Sequence, residues 1–348
     1  MEKFLVDLIG DNLITILIIC VIPLLFLLPY ALVAILAELK ISAWIQDRLG
    51  PMRTGPWGIL QPIAEVVKLL QKEDITPANA SKLLFNIAPY VIFTGSYAAF
   101  AVIPFSSSFV PSNINIGIFY LLAVSAFAVV GILMGGWASN NKYSLYGAIR
   151  SVAQIISYEI PGAIALLAIV TFAGTMNLQL INQMQSGWFW NWFIFGGPGS
   201  AYKLFIIPFM IPLALTYFIA TLAETNRTPF DIPEAESELV SGYHTEYSGM
   251  KFAMFFFAEY SNMFIVAAIL TTLFLGGWNS PFNNFMQGPW WGAFWFITKS
   301  FFVVLLQIWI RWTVPRLRVD QLMYLSWKVL LPISIVCFFA LGLYRMLV

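Results

Sequence analysis

One stretch of this chain reads Glu224-Thr-Asn-Arg-Thr-Pro-Phe-Asp231-Ile-Pro-Glu234-Ala-Glu236-Ser-Glu238, and a further acid, Glu246, follows after seven intervening residues. Six carboxylates therefore fall within 23 residues, between two runs that are apolar enough to cross a bilayer. Burying charge beside a hydrocarbon core costs free energy, so acids in this position indicate a functional requirement. The flanking runs predict a membrane fold, and the acids direct attention to proton chemistry.

The composition is that of an integral membrane protein. Sixty per cent of the residues are hydrophobic, 10% are charged and the mean hydropathy is +0.81, whereas a soluble domain carries about 25% charged residues. A net charge of +1 argues against nucleic acid as a partner. Two cysteines in apolar runs, Cys20 and Cys337, and one histidine are too few ligands for an iron–sulfur cluster or a bis-histidine haem. Any electrons are therefore expected to come from elsewhere than this chain.

Apolar runs of about 20 residues, the length that crosses a bilayer, recur along the whole chain. They predict an all-α, polytopic membrane protein in one domain, with about eight transmembrane helices, at 13–37, 86–105, 116–137, 156–176, 203–223, 252–276, 293–313 and 327–347. Prolines inside these runs predict kinks or local breaks; they are Pro23, Pro29, Pro161, Pro208 and Pro212.

The basic residues predict the orientation of the chain. Of the 18 Lys and Arg residues, all except Lys3, Lys203, Lys299 and Arg345 lie after the first, third, fifth and seventh spans. The opposite loops are nearly free of charge and rich in Trp, Phe, Asn and Gly. By the positive-inside rule, the charged loops, including 38–85 and 224–251, are expected in the cytoplasm and both termini outside.

The first charged loop contains a helical pattern. Between Gly58 and Lys72, polar residues recur at helical spacing and apolar residues cover much of the remaining surface. Such an amphipathic helix lies in the plane of the membrane interface. It is expected either to pack on its own bundle or to line the mouth of a cavity open to lipid.

Four acids, one of them Glu224 again, lie within or at the ends of the predicted spans. Glu159 starts the fourth span, Glu259 lies well inside the sixth, Glu224 ends the fifth and Glu38 ends the first. An acid at membrane depth pairs with a cation, stays protonated or lines water, and several together can form a proton relay. For Glu38 and Glu224 the alternative is an acid at a helix end that reaches the interface.

The acids after Glu224 have a structural alternative as well. Asp231 and Glu234 have the spacing of a capping box, and acids favour the first turn of a helix. Capping does not account for the remaining acids of the segment, Glu236, Glu238 and Glu246. His244 is a candidate pH-sensitive group, although a single loop histidine is usually only a hydrogen-bonded neighbour.

A second polar cluster follows the first span. Lys40, Gln46 and Arg48 precede the turn at Gly50-Pro51, where the first helix leaves the membrane. Arg311, Arg316 and Arg318 occupy the corresponding end of the seventh span. These residues are expected either to anchor the chain by the positive-inside effect or to dock a peripheral partner, and the amount of charge favours docking.

Two motifs give the chain its resemblance to a known family. These motifs are Gln46-Asp-Arg48-Leu-Gly-Pro51 and the segment from Glu224-Thr-Asn-Arg227 through Glu246-Tyr-Ser-Gly249, with Tyr158-Glu159 and Ala258-Glu259-Tyr260 agreeing in place. Over essentially all 348 residues, the chain resembles the family of H subunits of bacterial NADH:quinone oxidoreductase, respiratory complex I. It departs from many members of that family in having Leu39 before Lys40 instead of two consecutive basic residues.

The resemblance implies a membrane subunit at the junction with the peripheral arm, without a complete active site of its own. It implies a quinone cavity whose access is framed by the first and sixth spans and the amphipathic helix. FMN and the iron–sulfur clusters are then expected on partner subunits, and small membrane subunits are expected as neighbours in a bacterial inner membrane.

The family pattern also implies roles for individual residues. Asp231, Glu234, Glu236, Glu238 and Glu246 are implied to be coupling-loop acids. Glu159, Glu224 and Glu259 are implied to be relay acids. The residues implied to form the quinone site and to hold the loops around its cavity are Glu38, Lys40, Gln46, Arg48 and Arg227.

Two other functions are compatible with parts of the pattern. One is the related membrane subunit of an energy-converting hydrogenase, which lacks quinone chemistry. The other is an autonomous proton- or cation-coupled transporter, to which the intramembrane acids alone would point. The one-sided charge of the loops and the lack of a visible internal repeat count against a transporter.

Overall fold

In the part of the chain that the structure describes, all regular secondary structure is helical. This computed structural model describes residues 13–198, 203–233, 236–283 and 285–347, without the side chains of 13–20, 203–204 and 236–237. The α-helices are α1 Leu13–Ile45, α2 Gln61–Gln71, α3 Lys82–Ala99, α4 Gly117–Ala138, α5 Lys142–Ala173, α6 Leu178–Met184, α7 Lys203–Glu224, α8 Glu236–Leu239, α9 Gly249–Phe274, α10 Pro289–Thr313, α11 Val319–Tyr324 and α12 Leu331–Leu347. The all-α prediction is confirmed.

Seven helices of the described residues are long and apolar enough to cross a membrane. They include α1, α4, α5, α7, α9 and α10, and the seventh is the continuous helix Val319–Leu347. The second predicted span forms as α3 but contains Lys82, Asn86 and Pro89 and is less apolar than the others. The predicted count of eight spans is therefore not confirmed.

The first helix is longer than its apolar run predicted. It has 33 residues, which at 1.5 Å per residue is about 50 Å, well beyond the ~30 Å of a hydrocarbon core. The predicted end at residue 37 is wrong, because the helix continues to Ile45 and places Glu38 within it. The helices also continue without a break through the predicted kink sites, such as Pro29 in α1 and Pro161 in α5.

Local signals in the sequence account for several helix ends. The Asn141 side chain accepts from the Tyr143 N–H at 2.9 Å and caps α5, as Asn side chains favour at helix starts. Gly174 ends α5 in the left-handed conformation, with φ of 73°, which costs glycine no Cβ clash. The Asn177 side chain then accepts from the Gln179 and Leu180 N–H groups and caps α6.

Contacts between loops show which loops lie at the same end of the bundle. At one end, which we call the charged end, lie the loops after α1, α4, α7 and α10. Lys251 pairs there with Asp74 at 2.8 Å, and the Ile75 N–H donates to the Ser248 hydroxyl. At the opposite end, Lys299 donates to the Leu275 carbonyl oxygen at 2.8 Å.

Helix α9 lies at the centre of the bundle and packs against α1, α3, α7 and α10. It is the most buried of the candidate spans. Its second half, from Met263 to Phe274, is apolar except for two threonines whose hydroxyls donate to carbonyls of the same helix. Helix α5 packs against α4, α7 and α12. This arrangement brings the acids of α5, α7 and α9 towards one another.

The last span contains a wide turn. Between α11 and α12, residues Leu325–Leu330 form a π-helical turn. The span was predicted from residue 327 but the helix begins at Val319. Its Ser326 and Leu330 side chains are buried.

The amphipathic pattern of the first loop is confirmed as helix α2. Its apolar residues Ile63, Val66, Val67 and Leu70 are exposed. Its polar residues Gln61 and Glu65 are half-buried and hydrogen-bonded to each other at 3.1 Å. The apolar face therefore points away from the chain, opposite to a surface helix of a soluble domain.

Candidate functional site

A cavity of about 60 Å³ lies between α3, α4, α5, α7 and α9. Glu159 and Glu224 both line it, with Ser125 and Asn262 among its other polar walls. The Ser125 hydroxyl donates to Glu159 Oε1 at 3.2 Å. A polar cavity needs about 10–15 Å³ to hold one water molecule, so this cavity has room for several.

A second, smaller cavity of about 20 Å³ adjoins the first at the side towards the charged end. It shares Glu224, Ser125 and Asn262 with the first cavity and adds Glu259 to the walls. Its size suits about one water molecule, with several polar partners around it. The three predicted relay acids are thus arranged around two adjoining cavities, with Glu224 on the wall of both.

Glu259 receives two contacts from the loop before α9. The Tyr243 hydroxyl donates to Glu259 Oε1 at 3.0 Å, and His244 Nε2 lies 3.4 Å from the same oxygen. Both rings belong to the 3-10 turn Gly242–His244 and are buried. His244 is therefore a neighbour of a predicted relay acid, and Tyr243 is a site residue that the sequence did not single out.

Glu38 lies in a buried ion cluster. Arg227 Nη1 contacts its two carboxylate oxygens at 3.1 and 3.2 Å, Arg311 forms a second salt bridge, and the Tyr260 hydroxyl donates to Glu38 Oε2 at 2.7 Å. Only 6% of Glu38 is exposed. The expectation of a helix-end acid that reaches the interface is wrong for Glu38, because α1 extends beyond it and two arginines enclose it.

Arg227 joins this ion cluster electrostatically to one of the predicted relay acids, Glu259. Burial acts to lower the pKa of Arg227, but Glu38, Tyr260 and Glu259 together outweigh it and hold the pKa well above its usual value. The Arg227 guanidinium also lies over the Tyr260 ring, 4.7 Å from its centroid. Arg227 is therefore a permanent cation that both Glu38 and Glu259 sense.

The acids of the charged loop are dispersed. Glu238 forms an exposed salt bridge with Arg150 at 2.7 Å, and this pairing lowers the pKa of the Glu238 carboxyl. Glu246 accepts from the Asn141 side chain at 2.6 Å, and Asp231 is half-buried. Neither cavity described above has these three acids among its walls.

Two of the predicted loop acids lie wholly or partly outside the described residues. Nothing is described of Glu234, so its capping box with Asp231 stays a prediction. Glu236 starts the four-residue helix α8, but its side chain is outside the described part of the chain. The described backbone starts a helix at Glu236, three residues after Pro233.

The polar residues after Glu38 occupy the rim of the charged end. Lys40 Nζ donates to the Pro51 carbonyl oxygen at 2.7 Å and so fastens the Gly50-Pro51 turn. Gln46 and Arg48 are exposed on this rim. The structure does not bring these three residues into the ion cluster around Glu38, whose basic members are Arg227 and Arg311.

Comparison with known proteins gives a consistent answer over nearly the whole chain. The family model of NADH dehydrogenase matches residues 16–342. The H subunit of NADH-quinone oxidoreductase from Chlorobium luteolum is 58% identical over 333 residues, which are 92% of this chain and 87% of the relative.

Two further relatives carry the same description at lower identity. The H subunit of Chlorobaculum parvum is 56% identical over 92% of this chain and 90% of its own length. The H 2 subunit of Cytophaga hutchinsonii is 46% identical over 89% of this chain and 93% of its own length. This chain therefore belongs to the NADH dehydrogenase family, among relatives named as H subunits of NADH-quinone oxidoreductase.

Proposed function

We propose that this chain is the membrane subunit of proton-translocating NADH:quinone oxidoreductase that forms the quinone-access cavity and couples quinone reduction to proton translocation. The names of the relatives supply the enzyme and its substrate, quinone. One observation carries the coupling role: Glu159, Glu224 and Glu259 surround two adjoining cavities that have room for water.

The arrangement suits proton transfer in steps. A carboxylate holds its proton more tightly when negative charge appears nearby, so reduction of a quinone at the charged end draws protons towards it. Glu259 lies nearest the loop through Tyr243 and His244. Glu224, on the wall of both cavities, exchanges protons with Glu259 on one side and Glu159 on the other.

The ion cluster supplies fixed charge at the head of this path. Glu38 on α1, Arg227 in the charged loop and Arg311 on α10 are tied together. The cluster therefore holds three segments of the chain around the start of the relay. It also offers guanidinium and hydroxyl donors of the kind that a quinone carbonyl oxygen accepts from.

Quinone access is assigned to the side of helix α2. Its exposed apolar face suits the lipid interface, and its half-buried polar face suits a passage behind it. Gln46 and Arg48 on the nearby rim would then meet a peripheral subunit. The loops 38–85 and 224–251 form the cytoplasmic side in this proposal, and the spans lie in a bacterial inner membrane.

The remaining redox groups are assigned to partners. We place FMN and the iron–sulfur clusters on peripheral subunits, and small membrane subunits beside the spans. The acids of the charged loop would respond to quinone reduction, with Asp231 and Glu234 closest in sequence to Arg227. Glu234→Gln is expected to depress coupled quinone reduction while leaving assembly intact.

The decisive experiment replaces Glu224 by glutamine in the assembled enzyme. Glu224→Gln removes the acid common to both cavities, so NADH-driven proton uptake by vesicles should fall at least tenfold, a change of about 1.4 kcal/mol or more in the effective barrier. Glu73→Gln is the matched control, because Glu73 is an exposed acid of the charged end. Full proton uptake by an assembled Glu224→Gln enzyme would exclude the relay.

The same preparation separates the proposal from its alternatives. Inhibitor-sensitive NADH:quinone reduction in the purified complex is expected for the quinone enzyme. A complex that evolves hydrogen without reducing quinone would establish the hydrogenase, and ion transport by the purified single chain in liposomes would establish the transporter.

A further inference from the structure

Helix α5 has a missing hydrogen bond immediately beside Glu159. Pro161 lies inside this helix and has no N–H to donate, so the carbonyl of Ser157, four residues earlier, loses its α-helical partner. A buried carbonyl without a donor costs free energy, especially inside a membrane. The turn Ser157-Tyr158-Glu159-Ile160 therefore needs a donor from elsewhere.

The donor comes from the last span. The Ser326 hydroxyl donates to the Ser157 carbonyl oxygen at 2.5 Å, and both serines are buried. One residue further along α5, the Tyr158 hydroxyl donates to the Leu322 carbonyl oxygen at 2.9 Å. Two hydrogen bonds, one accepted by Ser157 and one donated by Tyr158, thus attach the turn that carries Glu159 to one face of the last span.

The last span is distorted where these bonds form. Ser326 lies in the π-helical turn Leu325–Leu330, in which the Leu331 N–H bonds to the Ser326 carbonyl, five residues back. Such wide turns are rare, and those that do occur are often found at functional sites. Tyr158 is fully buried between this region and Phe230, whose ring centroid is 5.2 Å from its own.

We propose that Ser326 is a positioning residue for Glu159, an inference that rests on the proposed relay. By satisfying the carbonyl that Pro161 leaves free, it fixes the rotation of this turn. Glu159 then faces the larger cavity and accepts from Ser125 at 3.2 Å. Ser326 itself is not among the walls of that cavity, so it acts only through the helix that carries the acid.

The test is a set of five variants in the assembled enzyme, measured as protons taken up per NADH oxidised. Ser326→Ala should lower this ratio roughly threefold to tenfold, because a buried carbonyl loses its donor. Ser326→Thr keeps the hydroxyl and should retain most of the ratio. Ser334→Ala is the matched control, because the Ser334 hydroxyl is also buried but bonds to the Leu331 carbonyl of its own helix.

The fourth variant separates positioning from general destabilisation. Pro161→Ala returns an N–H to the Ser157 carbonyl, so Pro161→Ala/Ser326→Ala should recover the ratio lost by Ser326→Ala, or its assembly if the single variant does not assemble. An unchanged ratio in Ser326→Ala, or no recovery in the double variant, would overturn the inference.

Glu159→Gln distinguishes the two levels of the proposal. A reduced ratio in Glu159→Gln with a normal ratio in Ser326→Ala contradicts the positioning role and leaves the relay intact. A normal ratio in Glu159→Gln contradicts the part of the relay assigned to Glu159, and the positioning role with it.

Discussion

Glu38 and Glu224 are both carboxylates on membrane helices, and their surroundings differ in every respect. Glu38 contacts two arginines and a tyrosine hydroxyl and faces no described cavity. Glu224 lines two cavities, and within the described residues neither it nor Glu159 forms a salt bridge. Glu159 accepts from the Ser125 hydroxyl, and Asn262 lies on the wall of both cavities.

The difference predicts different behaviour. A buried carboxylate that is ion-paired and hydrogen-bonded stays ionised, and breaking the pair exposes an uncompensated charge. A buried acid without a cation, beside space for water, can gain and lose a proton as its surroundings change. The ion cluster is therefore expected to govern stability, and the cavity acids to govern coupling.

The largest effect should come from breaking the ion cluster. Arg227→Met removes the buried cation that contacts both oxygens of Glu38 and leaves Glu38 with Arg311. Loss of one partner of a buried pair costs about 3–5 kcal/mol. The yield and thermal midpoint of the assembled complex in mild detergent should both fall sharply.

A second change sharpens this prediction. Glu38→Gln in the Arg227→Met background also takes the carboxylate partner from Arg311, so the thermal midpoint should fall further. Arg150→Met is the surface control, because its pair with Glu238 is exposed and such pairs contribute little to stability. Equal thermal midpoints for Arg227→Met and Arg150→Met would remove the distinction drawn between the two kinds of acid.

The next largest effect should come from a variant beside Glu259 that changes coupling more than stability. Tyr243→Phe removes the hydroxyl that donates to Glu259, and hydrogen bonds to charged groups contribute about 1.5–3 kcal/mol. We expect proton uptake per NADH to fall severalfold.

The control for this variant lies in the same loop. Tyr247→Phe removes a hydroxyl that donates to the Phe85 carbonyl oxygen at 3.2 Å. It should lower the thermal midpoint slightly and leave proton uptake per NADH unchanged. If the two tyrosine variants reduce coupling equally, the contact with Glu259 is not the cause.

Much of the fold could be predicted because bilayer thickness constrains it directly. Apolar runs located the spans, and helical spacing between Gly58 and Lys72 located α2. The predicted count of eight spans is not confirmed at Lys82–Ala99, where a helix forms but is not among the seven apolar enough to cross a membrane. The first span was predicted to end at residue 37, because the chain becomes polar there, although the helix continues to Ile45.

The pairing of the acids could not be predicted in the same way. Helix α4 is apolar along its length, so its sequence does not show which face carries Ser125 inwards to Glu159. Arg311 is 273 residues from Glu38 in sequence, and only the packing of α1 beside α10 brings them together. The motif identified Arg227 as a site residue. That Arg227 pairs with Glu38, and not with an acid nearer in sequence, depends on the same packing of α1 beside α10.

The smallest effect should come from the exposed counterpart of the ion cluster, the pair of Glu238 and Arg150. Because Arg150 lowers the pKa of Glu238 in the folded chain, the pair stabilises the fold at pH values above the ordinary carboxyl pKa. That contribution is lost as the pH falls through the lowered pKa.

The difference in thermal midpoint between the parent and Glu238→Gln should thus be small at neutral pH, smaller in high salt, and absent in acid. A measurable difference that persists at low pH would mean that Glu238 stabilises the loop by something other than its charge. A difference as large as that of Arg227→Met would mean that burial, the property separating the two salt bridges, does not decide what an ion pair contributes in this protein.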